Sequence, residues 1–186
     1  MIKKSKGFTL IELLVVISVI SLLASIIFAS LNDARAKARD ARRKSDIHQF
    51  QLALEYYLDT NGIYPASGGA SPSPNGPNSS WSNSAEASSW GSGSLQTAMA
   101  PYLSKLPTDP TNSPIGPFVI NAYYYFRFSS EGGCSSQYMM VYKLEKGASV
   151  VSPGYLTCGG TTYQYSGGPL NSANANGIIT IGRRGL

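Results

Sequence analysis

The chain has 186 residues, of which 13% are charged and 42% apolar, and its formal net charge is +5. That length allows one modest domain beside an extended element, and so little charge points away from an ordinary cytosolic globule and towards a membrane or surface protein. Three of the fifteen basic residues, Lys3, Lys4 and Lys6, precede the first apolar run; without them the balance is 12 minus 10, or +2, which does not support a general nucleic-acid field.

From Phe8 to Leu31 every residue is apolar or small except Thr9, Glu12 and four serines. At 1.5 Å per residue such a helix measures roughly 36 Å, enough to cross a hydrocarbon core of about 30 Å with some tilt. A signal anchor or a secretory signal has the same basic start and apolar stretch. Glu12 argues against both, because a carboxylate at a bilayer centre costs on the order of 2.5–3.5 kcal/mol and demands a partner or a function.

The run Lys6-Gly7-Phe8-Thr9-Leu10-Ile11-Glu12-Leu13 resembles the cleavage and methylation signal of type IV prepilins and type II secretion pseudopilins, and the likeness continues to about Leu31. The resemblance implies that a prepilin peptidase cuts Gly7–Phe8 on the cytoplasmic side and methylates the new amine of Phe8. It gives Glu12, the fifth mature residue, a role in assembly. The positive-inside rule points the other way, since six basic residues between Arg35 and Lys44 outnumber the three lysines before the span. The resemblance nevertheless implies a cytoplasmic leader and an exported head, and two cysteines fit an oxidising exterior.

Beyond the span, Asn32 to about Asp59 lacks proline and glycine and is rich in helix formers, so one helix is expected to continue. Ile47, Phe50, Leu54, Tyr57 and Leu58 recur at helical spacing and mark the face that packs on a sheet. Asn61-Gly62 and Pro65 end the helix. Pilins carry a similar long N-terminal helix, half in the membrane and half on a globular head; many have glycine or proline in the apolar half, where this chain has Ser21 and Ala29. The basic stretch Arg35–Lys44 reads first as a solvated helix face and second as a contact for anionic lipid heads. DNA contact ranks last, because no aromatic residues interleave the basic ones. His48 reads as structural.

Ala66 to Ser94 is rich in Gly, Ser, Pro and Asn and reads as a long surface loop, anchored by Trp81 and Trp90, that carries the specific surface of the chain. Asn78-Ser79-Ser80 matches a glycosylation acceptor, a frequent coincidence in serine-rich sequence. A short helix is expected from Ser94 to about Leu103. The following Lys105-Leu106-Pro107-Thr108-Asp109-Pro110 resembles the connection before the sheet in G-type pseudopilins and related pilins, and its prolines fix a rigid turn.

A sheet is expected from near Phe118. Ala122–Phe128 and Gln137–Glu145 form an antiparallel hairpin about Glu131-Gly132-Gly133, with short strands at Thr161–Tyr165 and Ile178–Ile181. In an exported head Cys134 and Cys158 read as a disulfide; the closed loop of about 25 residues contributes roughly 3–3.5 kcal/mol on the entropic account. Two cysteines and one distant histidine do not make a zinc site. The calcium site of G-type pseudopilins does not carry over, since no Asp or Glu follows Glu145. No catalytic constellation emerges, so the expectation is a non-enzymatic protein without cofactors.

The expected fold is α+β: a leader at 1–7, a membrane or filament-core helix at 8–31, its exposed continuation at 32–62, a loop region with a short helix at 63–117, and an antiparallel sheet at 118–186. The resemblance implies a pilin-like subunit used in adhesion, motility or DNA uptake, held in the cytoplasmic membrane before assembly and in an extracellular or periplasmic filament after it. Its implied partners are further copies of the chain, the peptidase, a membrane platform protein and an assembly ATPase. The alternatives are a type II secretion pseudopilin, or a minor subunit or surface anchor whose loop binds a ligand.

Overall fold

The structure is a computed structural model that describes residues 7–68, 71–73, 76–90, 94–112, 122–128, 136–146, 152, 154–156, 158–160, 162–163 and 177–184. One helix, α1 (Leu10–Asn61), runs for 52 residues, as expected of a stretch without a single glycine or proline. It stops where Gly62 takes a left-handed φ of 71° and donates its amide to the Leu58 carbonyl at 2.7 Å, a glycine cap that a side chain would strain. The chain divides into two compact units, Met1–Ala38 and Arg39–Leu186.

The second unit is a head built on a five-stranded antiparallel sheet. Its strands are β1 (Ser71–Ser73), β2 (Gly76–Asn83), β3 (Tyr124–Phe128), β4 (Gln137–Lys143) and β7 (Ile178–Arg184), in the order β1-β2-β3-β4-β7. Beside it β5 (Tyr155–Leu156) and β6 (Thr162–Tyr163) form a two-stranded sheet. The register sets Tyr125 opposite Met140 and Met140 opposite Ile181. Because strand side chains alternate, Tyr125, Tyr138, Met140, Tyr142 and Ile179 then share one face with Ile47, Phe50 and Leu54 of α1. The helical face expected from the sequence is thus the packed one, with Tyr57 and Leu58 at its margin. Tyr124, Met139, Val141 and Ile178 join a second cluster that includes Trp81 and Tyr155.

Two sequence expectations need correction. The stretch after Ala66 is not a loop throughout, since it contains β1 and β2, and β2 joins the main sheet by pairing Ser82 with Tyr125 and Asn83 with Tyr124. Glycine, serine and proline hide such a strand, because ladder hydrogen bonds rather than side chains hold it. The strand expected near Thr161 falls at β6, pairs with an unforeseen β5, and stands apart from the main sheet. Trp90 does anchor its segment: its ring meets Phe50 edge-on at 5.3 Å and its indole N–H donates to the Pro107 carbonyl at 2.9 Å. Helix α2 (Ser94–Met99) ends in turns at Tyr102 and Leu103. The Glu131-Gly132-Gly133 turn and the sheet start at Phe118 lie outside the described residues. Gly182 is required by contact, because a Cβ there would collide with the Tyr138 carbonyl and the Tyr155 ring.

Candidate assembly site at the amino terminus

From Phe8 to Leu31 the large apolar side chains face solvent all round. Phe8 is 85% and Leu10 87% exposed, and large aliphatic side chains remain exposed through Leu31. The helix is long and apolar enough to cross a membrane. An all-round apolar helix is stable only when something apolar surrounds it, either lipid or other helices. Ser18, Ser21 and Ser25 do not oppose that, because each hydroxyl donates to a carbonyl of its own helix (Leu14, Ile17 and Leu22) at 2.7 Å.

The helix begins with a reciprocal cap. Thr9 donates its amide to Glu12 Oε2 at 2.9 Å and its hydroxyl to the same oxygen at 2.7 Å, while the Glu12 amide donates to Thr9 Oγ1 at 3.3 Å. This capping box satisfies two N-terminal amides. It also keeps Gly7 and Phe8 outside the helix. Phe8, Ile11, Glu12, Val15 and Val16 line an open depression of about 350 Å³. Among the described residues Glu12 has no cationic partner, so a negative charge sits in an apolar surface with its hydrogen bonds only partly made.

Gly7 is informative for a different reason. A Cβ added there would meet nothing within 4 Å, so nothing among the described residues requires glycine at this position.

The basic stretch resolves into pairs. Lys37 bonds Asp33 at 2.7 Å, Arg39 bonds Glu145 at 2.5 Å, and Arg42 approaches Asp46 at 3.7 Å. Arg43, only 2% exposed, is no surface cation at all. Its guanidinium donates to Asp109 (2.7 and 3.1 Å), Asp40 (2.8 Å) and Glu145 (2.7 Å). Asp40 in turn accepts the amides of Glu145 and Lys146 at 2.9 and 2.8 Å, tying the turn after β4 to the helix. Burial alone would raise the Asp109 pKa, but hydrogen bonds from Arg43 and Thr111 outweigh it and hold the carboxyl below its usual range. Arg39 first, with Arg43, holds Glu145 down at about 2. The arrangement is a structural clamp, and the solvated-face reading fails at Arg43. Sequence reasoning missed this cluster because its members are distant in the chain; only the Asp40/Arg43 spacing of three and the proline-flanked Asp109 were visible beforehand.

His48 is exposed beside a shallow depression with Gln51, Glu55 and Arg183. Among the described residues no group of three or more His, Cys, Asp or Glu is placed to hold a metal. Cys158 is half of a disulfide, and Cys134 lies outside the described residues.

The exposed apolar helix, the capped Glu12 and the open Gly7–Phe8 all lie in or adjoin a segment that carries a prepilin-type motif. Residues 2–28 match the prokaryotic N-terminal methylation motif. The chain is also similar to type II secretion system core protein G from several bacteria. It is 40% identical to the Escherichia coli K12 protein over 62 residues, covering 33% of this chain and 43% of that one. It is 35% identical to the Vibrio cholerae protein over 63 residues (34% and 43%) and 36% identical to the Aeromonas hydrophila protein over 63 residues (34% and 44%). The match therefore spans less than half the length of these relatives. No solved structure matches the chain significantly.

Proposed function

We propose that the chain is a non-enzymatic structural subunit of the pilin and pseudopilin kind, cut between Gly7 and Phe8, methylated on Phe8, and polymerised into a filament outside the cytoplasmic membrane. The observation that carries this reading is the combination of a prepilin-type motif with an apolar helix whose side chains stand unburied. The open surroundings of Gly7 support recognition by a peptidase, which needs close access to the backbone. Before assembly the helix lies in the membrane with its amino terminus on the cytoplasmic side. A platform protein and an assembly ATPase move it into the filament, where copies of the chain surround it. In the exported head Cys134 and Cys158 pair. The similarity to core protein G favours a secretion pseudopilin as the second reading, although it covers about a third of this chain.

Within this scheme Glu12 supplies the negative partner for the amine of a neighbouring Phe8. Its Oε2 is held by Thr9, and an opposite charge beside it offsets the cost of enclosing the carboxylate among apolar helices. Replacing Glu12→Val is expected to leave the protein inserted and cleaved while abolishing filaments. Electron microscopy of sheared surface material, beside immunoblots of the membrane fraction, checks this; a normal filament yield from the variant would exclude the assigned role.

A further inference from the structure

A polar hollow in the head takes no part in the assembly scheme. It measures about 250 Å³ and lies between α1 and the edge of the main sheet, where β7 is the outermost strand. The register sets Arg183 opposite Tyr138, and Tyr138 lies on the side of the sheet that α1 covers. From the helix, His48, Gln51 and Glu55 recur at offsets of 0, +3 and +7, the spacing of one helical side. Leu52, 50% exposed, forms an apolar rim. The polar groups fix one another. Arg183 Nη1 meets Glu55 Oε2 at 3.0 Å, the Tyr64 hydroxyl donates to Glu55 Oε1 at 3.2 Å, and Gln51 Nε2 donates to the Tyr138 hydroxyl at 3.4 Å. Among the described residues, further guanidinium N–H groups of Arg183, the amide oxygen of Gln51 and the imidazole of exposed His48 keep bonding capacity for a ligand.

We infer that this hollow binds one ring of a neutral saccharide. Charge argues for an uncharged occupant, because the carboxylate of Glu55 and the guanidinium of Arg183 already cancel, so a net charge on the ligand gains little. The remaining groups mix donors with acceptors, and a hydroxyl is both. Neighbouring hydroxyls of a sugar satisfy such a mixture, whereas a carboxylate or an ammonium would meet groups of its own kind. The C–H face of the same ring suits Leu52. Size sets the limit: sites for drug-sized ligands run to roughly 300–1,000 Å³, so a hollow of about 250 Å³ takes one ring and leaves the rest of a longer glycan in solvent. Tyr64 and Arg183 hold Glu55 through both of its oxygens before any ligand arrives, which lowers the cost of ordering it on binding. The site lies wholly in the head and does not require a filament.

The test is titration of the full-length protein with glucose, galactose and N-acetylglucosamine, at constant pH in a phosphocholine detergent that carries no sugar. His48 is the only histidine of the chain, so its Cε1 proton reports on the hollow in NMR spectra. At least one sugar is expected to shift that resonance saturably, with a dissociation constant of about 1–10 mM. Arg183→Ala and Gln51→Ala each weaken this binding by about tenfold. Glu55→Gln keeps the shape of the side chain, which guards against misfolding, and weakens it as well. Gln49→Ala, on the same helix but outside the hollow, leaves it unchanged. No saturable shift with any of the three sugars, or a shift that survives all three hollow variants, would overturn the site. A larger shift with acetate or inorganic phosphate than with any sugar would overturn the neutral class of ligand.

Discussion

The head and the amino-terminal helix solve the problem of unfavourable surface in opposite ways. In the head, the apolar face of α1 is covered by Tyr125, Tyr138, Met140 and Ile179, and even a fully buried guanidinium finds three carboxylates. The helix from Leu10 to Leu31 has large apolar side chains that stand exposed and, among the described residues, one carboxylate without a cation. The first region is complete as a folded unit. The second leaves its apolar surface uncovered, and the proposed function assigns that surface to lipid or to further copies of the chain. The difference locates the packed core in one region and the uncovered apolar surface in the other.

Mutation of comparable basic residues in the two regions tests that division. Arg43→Ala leaves Asp109, Asp40 and Glu145 clustered without their cation, and breaking a buried ion pair in this way costs ~3–5 kcal/mol. Arg35→Ala, at an exposed position without an ion-pair partner among the described residues, is expected to change stability by no more than about 0.5 kcal/mol. Thermal or denaturant unfolding of the detergent-solubilised protein reads both values. Equal losses would show that the clamp does not hold the head.

A smaller effect is expected from acid. The Glu145 pKa is lowered from its ordinary 4.5 to about 2, chiefly by Arg39 and also by Arg43, and Asp109 is lowered by Arg43 and Thr111 against the opposing effect of burial. Carboxyls depressed in the folded state stabilise it fully above their unfolded values, and that contribution fades as pH falls through the folded ones. Head stability should therefore hold at neutral pH and decline between about pH 4.5 and 2, and Arg43→Ala should flatten the decline. Unfolding midpoints across that window check it. A slope unchanged in the variant would mean that other carboxyls set the acid limit.

Much of this was legible in the sequence where one period or one local signal dominated. The uninterrupted helix, the face of Ile47, Phe50 and Leu54, and the strands at Tyr124–Phe128 and Gln137–Lys143 follow from side-chain patterns that act at short range. Strand β2 was hidden because its residues say nothing about pairing, and β5 because two residues carry no periodicity. Arg43 was misread because a charge run gives no hint of which member will meet Asp109, 66 positions away. The capping box is present in the spacing of Thr9 and Glu12, but in a sequence the cost of a carboxylate in a membrane outweighs a three-residue spacing as a signal.

The central claim, that this amino terminus is read, cut and modified before the helix enters a filament, is tested most directly by mass spectrometry of the N-terminal peptide. The protein should be taken from the membrane and filament fractions of cells that contain the native prepilin peptidase. The account predicts a peptide beginning at Phe8 with one added methyl group on its amine, and retention of the leader when Gly7 is replaced by a bulkier residue. An assembled protein that still begins at Met1, or an unmethylated start at another residue, would contradict it.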